Sequence, residues 1–349
     1  MNIFRLRSAV WEITLACCFS CKYCGSSGGK ARENELTTEE CLDVVHQLAE
    51  LGCRRVSLIG GEVFMRKDWK TIVKELTSYE IRTAIITNGF LFGEGILNDL
   101  KEVNIESVAV SLDSIETIHD KYRQKGSYER AINAIDKLAQ AGITVTVIST
   151  LNSESVEHLP EFYDILRTKP IAAWQLQACS PMGNAAKSGI DFRFDFGRVI
   201  SFVEDNMEAA PFAMGIADNI GYFTESEGTL RGNSHSCFTG CKAGLSGIGI
   251  DSIGNIRGCE SMYDEKFIEG NIRERRLSDI WNDPDAFLYN RRFTANNLTG
   301  PCAKCDYGKY CAGGCRSYNF FVHGKLFESP ACARFASAEI SPELTTGEN

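Results

Sequence analysis

Hydrophobic positions follow two alternating rhythms through the first half of the chain. Short apolar runs rich in Val, Ile and Thr occur at 10–15, 56–59, 82–87, 108–112, 144–150 and 173–177. Strands buried on both faces of a parallel sheet require runs of this kind. Between them the period is near 3.6. Thr37 and Glu40 stand at the spacing of a capping box. Leu42, Val45, Leu48 and Ala49 then form one helical face, closed by Gly52. A second stripe, Ala131, Ile132, Ile135 and Leu138, ends at Gly142. Six strand–helix units in a row predict an α/β fold, a parallel sheet curled into a partial (β/α)6 TIM-like barrel. Such sheets carry their sites at the C-terminal ends of the strands.

After about residue 190 the rhythm fades. An amphipathic helix is expected around 199–207, followed by Gly- and Ser-rich sequence and a hairpin over 247–259 turning near 252–254. The span from Cys237 to Cys332 holds eight of the 15 Cys. A small region with so little apolar periodicity needs metal staples. The expected organisation is a barrel over 1–215, a bridge over 216–236, a Cys-rich domain over 237–335 and a polar, frayed tail over 336–349.

Composition narrows the function. The chain has 349 residues, 44% of them hydrophobic, and a net charge of -9. That acidity argues against a basic nucleic-acid binder and a polybasic membrane patch. No run of 18 apolar residues suggests a transmembrane helix. Arg5 and Arg7 precede an apolar stretch, but Glu12 interrupts it and no small-residue cleavage site follows. A cytoplasmic protein is therefore expected. In a reducing compartment, 15 Cys are better explained by metal or iron–sulfur ligation than by disulfides. With only five His, the ligand set is soft and thiolate-rich.

Cys17, Cys21 and Cys24 give C-x3-C-x2-C in the loop after the first strand, with Tyr23 before the last Cys. Three close thiolates can hold three irons of a four-iron cubane and leave the fourth open to a ligand. A zinc site short of one ligand is the competing reading. Cys18 also permits a C-x2-C-x2-C count; Cys17 is taken as the ligand. This segment resembles the cluster loop of the radical SAM enzymes. The resemblance implies an open iron that chelates S-adenosylmethionine, whose reductive cleavage releases a 5′-deoxyadenosyl radical. Gly60-Gly61-Glu62 matches that family's GGE motif after the second strand. It implies close backbone approach at the glycines and a carboxylate on the methionine ammonium. Tyr23 is placed near the adenine. Asn88 at the third strand end, and Ser111 and Asp113 at the fourth, match contacts to the ribose and carboxylate. Arg123 resembles a carboxylate-binding arginine. Asp113 as a helix cap and Arg123 as a surface ion pair remain alternatives.

The C-terminal array reads Cys241, Cys259, Cys302-x2-Cys305-x5-Cys311-x3-Cys315 and Cys332, with Cys237 just upstream. It resembles the SPASM extension of radical SAM enzymes, as do Gly270-Asn271-Ile272 and Leu277-x2-Ile280-Trp281. By that family's interleaved topology, Cys237, Cys241, Cys259 and Cys315 hold one auxiliary cluster. Cys302, Cys305, Cys311 and Cys332 hold the other. Three [4Fe-4S] clusters are then expected, against two structural zinc sites as the alternative.

Of the other thiols, Cys41 and Cys53 read as small buried hydrophobes. Cys179, after the sixth strand, is a candidate hydrogen-atom donor, or a packed loop residue. Met182 and Gly183 resemble the family's loop beside the cofactor. Glu260, directly after Cys259, is a candidate general base by analogy with sulfatase-maturing members, or a solvated hairpin carboxylate. Asp218 and Tyr222 are candidates for the cleft between domains.

Members with two auxiliary clusters mostly modify peptides or proteins. The expected function is therefore hydrogen abstraction from a residue of a ribosomally made precursor peptide, giving a cross-link, epimerisation or oxidation. Expected partners are that peptide and an external electron donor such as flavodoxin or ferredoxin. Cys17 comes so early that no extra domain is expected before the first strand. Leader recognition then falls to a separate leader-binding protein or to the barrel and SPASM surface, or is absent. The rivals are a small-molecule radical dehydrogenase, a formylglycine-forming sulfatase maturase and a non-catalytic zinc protein.

Overall fold

The computed structural model describes residues 4–231 and 237–335. Seven parallel strands form the barrel part: β1 (Ser8–Glu12), β2 (Arg55–Ile59), β3 (Arg82–Thr87), β4 (Ser107–Ser111), β5 (Val145–Leu151), β6 (Ala173–Ala178) and β7 (Ala213–Ile216). The long helices between them are α1 (Thr38–Glu50), α2 (Trp69–Ser78), α3 (Glu94–Lys101), α4 (Glu116–Tyr122), α5 (Ser127–Gln140), α6 (Leu159–Leu166) and α7 (Phe196–Met207). The expected partial barrel is present. Its core is built from the apolar runs: Trp11, Leu58, Ile85, Val110, Val147 and Leu176 are fully buried. The capping box forms, with Thr37 accepting from Glu40 N and Glu40 accepting from Thr37 N. Gly52 and Gly142, at φ +74° and +75°, end their helices in the left-handed conformation that glycine allows.

Two features depart from expectation. Strand β7 has no counterpart in the apolar pattern, because it is a four-residue strand containing Gly215. The expected boundary at 215 lies inside it. The Cys-rich segment is also not a separate sheet. Its hairpin, β8 (Gly247–Ile250) and β9 (Asn255–Arg257), turns where the sequence indicated, and β9 pairs with β10 (Gly270–Asn271). Strand β8 pairs in parallel with β1, Ser8 opposite Gly247 and Trp11 opposite Ile250. One ten-stranded sheet runs β10-β9-β8-β1-β2-β3-β4-β5-β6-β7. The 336–349 tail and residues 232–236 of the bridge lie outside the described residues.

The β1–β8 seam carries a buried ionic group. Glu12, fully buried at the end of β1, pairs with Arg32 and accepts from Ser252 N and Tyr263 Oη. A buried carboxylate is stable only when paired in this way.

Candidate functional site

The cluster loop is held from three sides. Cys17 N donates to Gly29 O at 2.8 Å, and Gly29 N donates to Leu15 O. Asn184 N donates to Cys24 O, and its Nδ2 to Cys21 O, both at 2.9 Å. Gly183, at φ +58°, lies so close that a Cβ there would meet Gly25 O and Cys24 O at 2.2 and 2.4 Å. Lys22 N donates to Tyr122 O. The GGE turn passes equally close on the other side, with Glu62 N donating to Ala16 O at 2.7 Å.

These segments enclose a cavity of about 390 Å3 at the C-terminal strand ends. Of the expected residues, Cys17, Cys21, Tyr23, Cys24, Gly60, Gly61, Asn88, Ser111, Arg123 and Cys179 all line it, and Cys18 does not. Backbone N–H groups point at two of the thiols, Phe19 N to Cys17 Sγ at 3.4 Å and Gly28 N to Cys24 Sγ at 3.3 Å. Hydrogen bonds of this type tune iron–sulfur clusters. Asn88 Nδ2 lies 3.6 and 3.8 Å from the Cys18 and Cys17 sulfurs. Among the described residues, no three His, Cys, Asp or Glu side chains converge as a single metal ion needs. Thiols spread around one cavity suit a cluster better than a lone zinc.

Two carboxylates stand behind the wall, bonded to its residues. Glu62 is 1% exposed and accepts from Thr87 Oγ1 and Asn88 N, both at 2.8 Å. Burial pushes its carboxyl up, and those donors oppose the rise. Its bonds fix Asn88 and the turn. Asp113 accepts from Tyr23 Oη, from Arg123 and from Thr150 N. Burial works against its charge, but the Arg123 guanidinium holds the carboxyl below the usual range. Arg123 is thus no surface ion pair: it is drawn to the wall by a buried partner, 5.5 Å from the Tyr23 ring.

Cys179 is 2% exposed on the wall. Burial pushes its thiol up to about 12, so it stays a neutral S–H. Cys259 and Ser261 line the cavity, and Glu260, in the turn between them, does not. Its carboxylate is 5% exposed, with neither oxygen hydrogen-bonded. Burial pushes it well up, Glu12 adds to this, and Arg257 opposes it. Asp218 lines the cavity; Tyr222 instead accepts from Cys315 N and borders the second thiol set.

Cys302, Cys305, Cys311 and Cys332 surround one small hollow, as the interleaved topology implies. Ser329 N points at Cys302 Sγ at 3.4 Å. Cys241, Cys259 and Cys315 lie near enough to act on one another's ionisation. Cys237 is exposed and lines a neighbouring depression with Lys242. Burial pushes Cys259 and Cys332 up to about 12, so metal must displace the protons. Cys41 and Cys53 are core residues.

The sequence reading missed Gln177, Asn219, Ser261, Ser317 and Tyr318 on the cavity wall, and Asn184 behind the cluster loop. A signal existed for three of them. Ser261, Ser317 and Tyr318 sit two or three residues after Cys259 and Cys315, on the same local elements.

Comparison with known proteins agrees with this geometry. Residues 11–166 match the Radical SAM superfamily and residues 241–306 match SPASM, an iron–sulfur cluster-binding domain. The chain belongs to the radical SAM superfamily, with a SPASM extension. It is an enzyme of radical chemistry that uses S-adenosylmethionine and iron–sulfur clusters. It is 26% identical over 340 residues to the AdoMet-dependent heme synthase of Methanosarcina barkeri, covering 93% of this chain and 96% of that one. It is 27% identical over 327 residues to the mycofactocin maturase MftC of Mycolicibacterium smegmatis, covering 89% and 78%. In fold it matches Streptococcus suis SuiB bound to S-adenosylmethionine, with a TM-score of 0.75, 19% identity, and 93% and 76% coverage. SuiB bound to its precursor peptide SuiA matches equally well. Among the described residues, no helix is long and apolar enough to cross a membrane.

Proposed function

We propose that this radical SAM/SPASM enzyme abstracts a hydrogen atom from a residue of a ribosomally synthesised precursor peptide. The observation that carries the reading is the composition of the cavity wall. One part is the cluster loop and barrel strand ends; the other is Cys259, Ser261, Cys315, Ser317 and Tyr318 of the C-terminal region. The substrate space thus lies directly between the first thiol set and one auxiliary set. Reductive cleavage of S-adenosylmethionine on the first cluster supplies the 5′-deoxyadenosyl radical. Cys17, Cys21 and Cys24 hold that cluster, and Cys17 is preferred over Cys18 because it lies on the wall. Gly60 and Gly61 admit the cofactor backbone-close. Asn88, Ser111 and Arg123 present donors, Asp113 orients Arg123, and Glu62 braces Asn88 and offers a carboxylate to the methionine ammonium. Cys241, Cys259 and Cys315, with Cys237, hold one auxiliary cluster, and Cys302, Cys305, Cys311 and Cys332 the other. Cys179 offers a neutral thiol to a substrate radical that must regain hydrogen. Likeness to MftC and SuiB supports a peptide, and a flavodoxin or ferredoxin is the proposed donor to the first cluster.

A tetrapyrrole substrate is the second reading. It is favoured by the match to heme synthase over nearly the full length of both chains. The test incubates anaerobically reconstituted enzyme, S-adenosylmethionine and dithionite with precursor peptides encoded beside its gene, or with Fe-coproporphyrin III. A peptide mass change accompanied by 5′-deoxyadenosine supports the first reading. Turnover of the porphyrin alone overturns it.

A further inference from the structure

A second hollow, of about 310 Å3, lies beside the cavity between residues 189–194 and the helix Arg316–His323, with Pro330 and Ala331 on its far side. Tyr318 belongs to the walls of both. Ile190 and Phe192 line the hollow and pack against the group formed by Phe19, Cys21, Tyr23 and Cys179 on the cavity side. Phe194 continues through Phe196 to Tyr318, with ring centroids 5.1 and 5.8 Å apart. Val322 completes an apolar lining. Its two charged members, Asp191 and Arg193, pair with each other at 3.0 Å and leave no net charge for a ligand.

Resting on the peptide reading above, we propose that this hollow is a side-chain subsite of the same enzyme. It takes a large aliphatic or aromatic residue of the substrate peptide, two positions from the residue that reacts. Continuity through Tyr318 ties it to the site of chemistry, and the self-neutralised rim excludes a charged occupant. The spacing follows from an extended peptide, where residues i and i+2 point the same way roughly 7 Å apart. That places one side chain on each side of a single dividing ring. Burying a Leu or Phe there is worth roughly 10- to 100-fold in affinity.

The experiment immobilises holoenzyme with S-adenosylmethionine and no reductant, and passes over it a randomised library of nine-residue peptides. Retained peptides are sequenced by mass spectrometry. Wild type, Val322→Arg and Val322→Phe are compared at equal iron content and equal unfolding temperature. Expected is enrichment of Leu, Ile, Phe or Trp at one position, falling at least tenfold in Val322→Arg. In Val322→Phe, which narrows the hollow, the preference shifts to Val or Ala. That shift carries the test alone if the arginine variant fails to fold. Retained peptides with no apolar position, or the same preference in both variants, overturn the subsite while leaving the peptide reading intact. No retention by wild type overturns both.

Discussion

Replacing Gly61 with alanine places a methyl carbon 2.4 Å from the carbonyl oxygens of both Leu15 and Ala16. Real Cβ atoms essentially never come closer than 3.0 Å. Neither obstacle is a flexible side chain. Moving the turn away strains the bonds from Gly61 N to Thr14 O at 2.8 Å and from Glu62 N to Ala16 O at 2.7 Å. Overpacking costs about 1–3 kcal/mol, and with two backbone bonds at about 1 kcal/mol each at risk, the upper end applies. Expressed fully in cofactor binding, that is roughly 150-fold. Gly29→Ala is the control, since a Cβ there meets nothing within 4 Å; it should stay within about 0.5 kcal/mol of wild type. The assay is equilibrium dialysis of S-adenosylmethionine against anaerobically reconstituted proteins matched for iron. If Gly61→Ala binds as tightly as Gly29→Ala, the argument that the cofactor site needs this close approach fails.

Anaerobic reconstitution should give about 12 irons per chain, and Ala at Cys17, Cys21 or Cys24 should lower this to about 8 and abolish 5′-deoxyadenosine formation; zinc in the C-terminal sites, or normal cleavage in any variant, contradicts the ligand assignment. Cys179→Ala should leave cofactor cleavage intact but stall a redox-neutral turnover. Unchanged yield of an epimerised product in deuterated water would return Cys179 to a packing role. His119 is buried and its pKa lies lowered to about 4, so the unfolded chain, titrating near 6.5, takes up its proton first. The contribution of His119 to stability should therefore fall by about 3 kcal/mol as the pH drops from about 6.5 to about 4. Asp113, lowered below its ordinary value, adds a loss only at still lower pH. Urea unfolding of the apoprotein across that range should show a shallower slope for His119→Gln, and identical slopes would refute the assignment.

The barrel was legible because its strands are continuous apolar runs and α1 carries a capping box; β3 (Arg82–Thr87) coincides with its apolar run. The grouping of Cys302, Cys305, Cys311 and Cys332 around one hollow was legible through the resemblance to the SPASM pattern. What stayed hidden depends on partners far along the chain. Glu12 read only as an interruption of an apolar stretch. Its meaning lies in Arg32, Ser252 and Tyr263, the last two more than 200 positions away. Glu260 was legible only as a neighbour of Cys259; its burial beside Glu12, far along the chain, leaves no trace in local sequence. Strand β7 gave no apolar signature, since it is short and contains a glycine. Asn184 was invisible because its role is to two backbone carbonyls, which leave no trace in residue type.

The pairing of β1 with β8 has a consequence for synthesis. Residues Ser8–Glu12 emerge long before Gly247–Ile250, which complete one side of that strand. At 5–20 residues per second, the ribosome leaves that edge open for on the order of tens of seconds. Over that interval a half-paired strand sits next to a loop of four nascent thiols, Cys17, Cys18, Cys21 and Cys24. Edges left open in this way recruit other chains. Slower translation or scarce chaperone should therefore lower the yield of this enzyme before any iron is inserted.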